Sequence, residues 1–322
     1  MEDFDLNPTN SATYLPLKPI SLFSLYLFGI AFAPIWTPHA AERLGRSKIY
    51  LVAIPICALF HLGAGFSQTF ASLAVCRFLA GLSGGPTLVL LEGTFADVWD
   101  AETTNTYYSF QLLAQFFGTA MGPLVGGYLV EGSGGWRWTE WFSAILCGAS
   151  LMLGLGISET YQREIPRRRA KRAGQVYKEE PALSGVTIGE MVRITVIDPI
   201  LQIVSDPITI MATFFLVFNF AVVLQFFFTV PVALGSAPPA GPGYSITQVG
   251  LAFTTAIAGS VLGAFIIIFV EHVFALRLMR QKMDWMSIEY RLLPAMLGVL
   301  LVTGSLFWIG MRISSHSLSS SR

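Results

Sequence analysis

Charged side chains are scarce in this chain. They make up 12% of its 322 residues, and 20 basic residues balance 20 acidic ones. A net charge of zero gives no electrostatic reason to expect a nucleic-acid partner. The sequence has three cysteines, Cys57, Cys76 and Cys147, and all of them lie in apolar stretches where disulfides and metal sites are unusual. We therefore expect no metal, no cofactor and no nucleic acid.

Motifs of catalysis are also missing. The sequence has no Gly-x-Ser-x-Gly nucleophile motif and no Gly-x-x-x-x-Gly-Lys-Ser/Thr phosphate loop. The four histidines lack metal-ligand spacing; they are His39, His61, His272 and His316. These absences predict that the chain is not an enzyme and does not use ATP.

Long apolar runs are what the chain has in abundance. Hydrophobic residues make up 53% of the sequence, and its mean hydropathy is +0.61. Because about 18 to 25 apolar residues cross a bilayer core, the runs predict an all-α polytopic membrane protein in a lipid bilayer. Eight membrane spans are predicted, at residues 20–37, 49–66, 70–93, 106–130, 139–157, 207–233, 247–270 and 292–311.

Polar segments divide the chain into five parts. Basic residues cluster in alternate loops, which places those loops in the cytoplasm. The basic run at 167–172 makes the linker a cytoplasmic anchor against anionic lipid, with a phosphate-binding site as the alternative. The predicted parts are a polar tail (1–19), a five-span bundle (20–157), the linker (158–206), a three-span bundle (207–311) and a second polar tail (312–322).

One apolar span carries a run of small residues, Gly-x-x-x-Gly-Pro-x-x-Gly-Gly. Its members are Gly118, Gly122, Pro123, Gly126 and Gly127. Small residues at every fourth position let membrane helices come into contact, and the proline permits a bend. The pattern predicts a helix built for close packing and bending.

Several motifs together resemble the major facilitator superfamily, and within it the fungal drug:proton antiporters, which include multidrug and polyamine exporters. Residues 42–46 (Glu-Arg-Leu-Gly-Arg) resemble the loop between the family's second and third helices. Residues 77–81 resemble its fourth-helix arginine motif, and the glycine-proline run its fifth-helix antiporter motif. Further similarity lies in Trp136-Arg137-Trp138 and in Glu159-Thr160-Tyr161.

The resemblance covers residues 20–311 and implies an incomplete facilitator-like bundle. The eight spans correspond to the family's second to ninth helices, so two of the four cavity-lining helices, the fourth and the seventh, have counterparts here. The implied function is proton-coupled export of cationic or amphipathic small molecules by alternating access, in the plasma membrane. Two alternatives stay open: a polyamine exporter, and a truncated membrane protein that does not transport. The sequence indicates no oligomeric state.

Candidate site residues follow from burial and from the resemblance. Arg77 lies seven residues into its span, where facing lipid would cost a few kcal/mol, so we expect it to face protein or a cavity. The resemblance implies a part for Arg77 in proton coupling. Glu92 is either a protonatable carboxylate that binds proton or substrate, or an interface carboxylate. Asn219 and Gln225 interrupt an aromatic segment whose phenylalanines either bind substrate or face lipid.

Charges at helix ends form a second candidate group. The resemblance implies a conformational latch between the loop residues Glu42, Arg43, Gly45 and Arg46 and the carboxylate of Asp97; solvated interface charges are the alternative. His61 lies in an apolar span, and we expect it to be a packing residue rather than a proton relay.

Overall fold

The computed structural model describes residues 17–99, 104–133, 135–156, 159–161, 188–235, 243–281 and 298–305. These residues are helical apart from short connections, and they contain no β-strand. The prediction of an all-α membrane protein is confirmed. The predicted tails at 1–19 and 312–322 fall almost wholly outside the described residues, as does the basic run at 167–172.

Ten helices are numbered here in chain order. They are α1 (Leu17–Leu44), α2 (Arg46–Gly65), α3 (Phe70–Val98), α4 (Thr104–Ser133), α5 (Arg137–Gly154), α6 (Ile188–Val192), α7 (Asp198–Ser205), α8 (Pro207–Gly235), α9 (Ile246–Ala252) and α10 (Thr254–Gln281). A π-helical turn, Arg193–Ile197, joins α6 to α7. Residues 298–305 are also helical.

Six predicted spans coincide with helices long and apolar enough to cross a membrane. The predicted span at 139–157 is helical as α5. However, α5 is not among those six, because Arg137 and Glu140 lower the mean hydropathy of its 18 residues. The eighth predicted span, 292–311, is described only over 298–305. Pro123 lies inside a continuous α4, as membrane helices allow.

The predicted linker, 158–206, contains structure that its overall polarity did not indicate. Its last part forms α6, the π-turn and α7, and α8 follows after a single residue, Asp206. Ile197, Ile200, Leu201 and Val204 repeat at helical spacing and are exposed. This segment is therefore an amphipathic helix.

The chain divides into two compact units. The first comprises Met1–Asp100 and Gly132–Ala221, and the second Ala101–Glu131 and Val222–Arg322. In the first unit, α1 and α3 cross closely, since a Cβ at Gly81 would collide with the Tyr26 carbonyl and one at Gly29 with the Phe78 carbonyl. Gly29 in α1 and Gly81 in α3 therefore set how closely these two helices pack.

In the second unit, α4 and α9 approach at the end of the glycine-proline run. A Cβ at Gly127 would lie 2.9 Å from the Ile246 carbonyl oxygen. A Cβ at Gly118, Gly122 or Gly126 would meet nothing within 4 Å among the described residues. The close contact thus falls on Gly127, and not on the predicted stripe of every fourth residue.

Candidate functional site

Three ionisable side chains from three helices meet inside the first unit. His61 lies in the last turn but one of α2, Arg77 is the eighth residue of α3, and Glu140 is the fourth residue of α5. His61 Nδ1 lies 3.0 Å from Glu140 Oε2, and Arg77 Nη2 contacts Glu140 Oε1. One carboxylate therefore joins α2 and α3 to α5. We call these three residues the buried charge cluster.

The cluster is largely shielded from its surroundings. The Glu140 side chain is 1% exposed, that of His61 8% and that of Arg77 31%. A carboxylate withdrawn from water costs several kcal/mol unless it is paired with a charge and hydrogen-bonded. Glu140 is paired with Arg77 and hydrogen-bonded to His61. Arg77 faces this protein partner rather than lipid.

Neighbouring residues hold the cluster in place. Gly65 on α2 leaves room for the indole of Trp141, since a Cβ there would overlap the ring. Trp141 follows Glu140 directly, so this contact fixes α5 against α2 beside the carboxylate. On the other side, the rings of Tyr26 and His61 lie 6.2 Å apart. Four helices thus surround the cluster.

A second group of charges lies where α1 ends and α2 begins. Arg46 Nε lies 2.8 Å from Asp97 Oδ2 at the end of α3, and Arg46 Nη1 donates to the Leu90 carbonyl at 3.2 Å. The Arg46 backbone N–H donates to Glu159 Oε1 at 2.8 Å. The Tyr161 ring centroid lies 5.9 Å from the guanidinium carbon. We call this group the Arg46 junction.

Two glycines make the Arg46 junction possible. Gly45 has φ 86°, a left-handed conformation that lets the chain turn between α1 and α2. Gly93 faces the Arg46 guanidinium, which a Cβ there would displace. Glu159 sits at the N-terminus of α2, where the helix dipole favours a negative charge. The junction therefore ties α2, α3 and the segment after α5 together through one arginine.

The predicted site residues divide between these groups and other places. Arg77 belongs to the buried charge cluster, and Arg46 and Asp97 meet as the latch prediction requires. Glu92 and Glu42 are exposed, and the side chain of Arg43 is outside the described residues.

The two polar residues of α8 bond within their own helix. Asn219 Nδ2 donates to the Phe215 carbonyl at 2.8 Å, and Gln225 Nε2 to Thr229 Oγ1 at 3.1 Å. In the aromatic segment, Phe214 and Phe220 are 74% and 65% exposed, as lipid-facing residues would be.

Sequence reasoning missed three residues that the structure brings to these groups. Glu140 lies two residues beyond the Trp136-Arg137-Trp138 motif and is not among the predicted site residues, whereas His61 is predicted to be a packing residue. Glu159 was noted only as part of the family resemblance. An acidic residue four positions into a membrane helix was the available signal, because intramembrane carboxylates are rare and need partners.

The buried charge cluster needs no metal to hold it. Among the described residues, no group of three or more His, Cys, Asp or Glu side chains could bind a metal ion. A carboxylate and an imidazole in contact can each gain or lose a proton, and the arginine responds to the charge that remains. The arrangement thus places three ionisable groups in contact between α2, α3 and α5.

Apolar helices with paired charges between them are typical of membrane transporters. The family model of the Major Facilitator Superfamily matches residues 1–320, so the chain belongs to this superfamily. The resemblance inferred from the motifs is confirmed.

Curated relatives are fungal transporters. The chain is 29% identical over 296 residues to the MFS-type transporter traF of Penicillium crustosum, covering 90% of this chain and 59% of the relative. It is 30% identical over 296 residues to the efflux pump FUB11 of Gibberella moniliformis, covering 88% and 48%. It is 28% identical over 259 residues to polyamine transporter 4 of Saccharomyces cerevisiae, covering 80% and 38%. The chain thus spans about two fifths to three fifths of the length of these relatives.

Proposed function

We propose that the chain is a secondary active transporter that exports cationic or amphipathic small molecules in exchange for protons, by alternating access, in the plasma membrane. The observation that carries the proposal is the buried charge cluster, in which Glu140 contacts both His61 and Arg77. Names of relatives, among them an efflux pump, support export as the direction. This proposal also leaves no role for catalysis.

Proton exchange at the cluster would act through Arg77. While Glu140 is ionised, it holds Arg77 against α5. When Glu140 or His61 takes up a proton, the charge on the carboxylate or its neighbour changes, and the attraction between Glu140 and Arg77 changes with it. Such a change favours a different contact for Arg77 and so a different position of α3. A proton is thereby linked to a conformational change.

The Arg46 junction supplies the second element that alternating access needs. Arg46 joins Asp97 and the carboxylate of Glu159 at one end of the bundle. A set of ionic contacts that breaks in one state and re-forms in the other gives two discrete conformations. We infer that the junction stabilises one of them, which is the latch role expected for Arg46 and Asp97.

Substrate contacts fall to Glu92, Asn219 and Gln225 in this proposal. An exposed carboxylate such as Glu92 attracts cations, whereas the amides of α8 can exchange their present intrahelical bonds for bonds to substrate. Polyamine export is the narrower alternative, favoured by the relative named polyamine transporter 4. A substrate with several amines would need more carboxylates than Glu92 alone.

Efflux from sealed vesicles that contain the 322-residue chain tests the proposed function. A cationic dye and radiolabelled spermidine are loaded separately, and efflux is followed with and without a proton gradient. The proposal expects gradient-driven dye efflux that is lost in Arg77→Ala and reduced in Glu92→Gln, with expression matched. Spermidine efflux without dye efflux would favour the polyamine alternative. No efflux of either from a well-folded chain would favour the non-transporting alternative.

A further inference from the structure

An apolar groove runs along the first unit between α1, α2 and α3. Its volume is about 420 Å³, and no residue of the buried charge cluster or of the Arg46 junction lines it. Trp36 and Leu44 line it from α1, Val52 and Phe60 from α2, and Leu82 from α3. The groove is therefore separate from the sites described above.

The length of the groove matches one leaflet of a bilayer. Its lining on α2 extends from Lys48 to Phe60. At 1.5 Å per residue, this stretch is about 18 Å long. Half of a hydrocarbon core of about 30 Å is about 15 Å. A single extended acyl chain can thus lie along the groove from the membrane surface to the bilayer midplane.

A lysine stands at the surface end of the groove. Lys48 is exposed, and no carboxylate among the described residues pairs with it, in contrast to the neighbouring Arg46, which is paired with Asp97. The other polar lining residue, Ser83, donates its hydroxyl to the Leu79 carbonyl at 2.8 Å. The lining of the groove is thus apolar, and an exposed lysine, which contributes only its aliphatic stem to that lining, stands at one end.

We propose that the groove binds one acyl chain of an anionic phospholipid, with the headgroup against Lys48. Basic residues that follow α1 predict that this end faces the cytoplasm, and anionic headgroups are attracted to basic side chains at that surface. An apolar chain gains from burial against the aliphatic lining. A cationic substrate fits poorly, because Lys48 repels it. The proposal does not depend on transport.

Lipid binding to the purified 322-residue chain, followed by native mass spectrometry, tests this site. The probes are dioleoyl phosphatidylglycerol, which is anionic, and dioleoyl phosphatidylcholine, which is zwitterionic. One lysine near a headgroup predicts about fivefold tighter binding of the anionic lipid. Lys48→Gln should remove this preference, whereas Lys48→Arg should keep it.

A filling variant separates the groove from the rest of the lipid-facing surface. Val52 lines the groove and is 59% exposed, whereas Val75 on α3 is 57% exposed and does not line it. Val52→Trp should weaken binding of both lipids about tenfold, and Val75→Trp should leave it unchanged. Should Val52→Trp not fold, Ile56→Trp fills the groove at a second exposed position.

Three results would overturn the proposal. Equal binding of the two lipids by the unchanged chain would remove the role of Lys48. Unchanged binding in a folded filling variant would place the lipid elsewhere. Lipid binding that appears only after deletion of residues 1–16 would mean that this segment, and not lipid, occupies the groove.

Discussion

Single glycines in this chain leave space for charged side chains, because glycine has no side chain of its own. The Arg46 guanidinium reaches Asp97 and the Leu90 carbonyl over the surface of Gly93. Any side chain at position 93 has to share this space with the guanidinium. Gly93 is thus as much a part of the Arg46 junction as the charged residues are.

Gly93→Ala should therefore be less stable than a glycine-to-alanine variant whose new methyl group meets no neighbour. The new methyl group displaces Arg46 from Asp97, which should cost about 1 kcal/mol for the weakened charged contact. Gly148→Ala is the matched control, because a Cβ at Gly148 on α5 meets nothing within 4 Å of the described residues. Both variants gain similar helix propensity. Thermal unfolding in detergent measures the difference, and equal unfolding temperatures would contradict this role of Gly93.

The two charge groups were not equally predictable from the sequence. Arg46 and Asp97 lie at helix ends that the alternation of spans brings to the same side of the membrane, so their meeting could be expected. Glu140 and His61 are 79 positions apart. Their contact depends on how α2 and α5 rotate against each other, and a single sequence carries no direct signal for that rotation.

At the scale of helices, the sequence predicts where a helix forms better than it predicts which residues that helix contacts. Apolar length alone located the long helices, because the bilayer sets that length. The amphipathic segment of α6 and α7 was missed because charged residues elsewhere in 158–206 dominate that region's composition. Among the described residues, the glycine-proline run approaches α9 at Gly127 and not at Gly126, because these two positions are about 100° apart around one helix.

These adjacent glycines allow a direct test of helix packing in the second unit. Gly127→Ala should destabilise the protein, because its Cβ would lie 2.9 Å from the Ile246 carbonyl oxygen and push α9 away from α4. Gly126→Ala should be tolerated, because its Cβ meets nothing within 4 Å of the described residues. Thermal unfolding of the two variants gives the comparison. A Gly126→Ala variant that is the less stable of the two would contradict the packing described here.

The start of α8 depends on an acidic cap. The Asp206 carboxylate accepts from the backbone N–H groups of Ile208 and Thr209 and from the Thr209 hydroxyl. The hydroxyl bond, followed by the backbone bonds, holds the pKa of Asp206 below its ordinary value. Because the folded pKa is depressed, the stabilisation is complete above the unfolded pKa of about 3.9 and is lost as the pH falls through the folded pKa.

Asp206→Ala should accordingly lower the unfolding temperature at pH 7, because three donors lose their acceptor. The difference from the unchanged chain should shrink below about pH 4. Asp206→Asn keeps an acceptor oxygen and should lose less at pH 7. Unfolding temperatures measured from pH 3 to pH 7 check this, and a difference that grows as the pH falls would refute the cap.

At the scale of the whole molecule, charges and helices combine into a proposed transport cycle. The cluster of His61, Arg77 and Glu140 ties three helices of one unit together through a single carboxylate. The same unit holds the Arg46 junction. A proton bound at one group can bias contacts at the other because α2 and α3 run through both. In the proposed cycle, this arrangement links proton binding to a change of conformation.

Glu140→Gln tests that link most directly. In vesicles that contain the chain, exchange of labelled for unlabelled substrate without a proton gradient is compared with gradient-driven efflux. Glutamine keeps the size of the side chain but cannot be ionised, so exchange should persist while gradient-driven efflux is lost. Glu190→Gln, at an exposed carboxylate of α6, is the control and should keep both. Gradient-driven efflux that persists in Glu140→Gln would contradict the account.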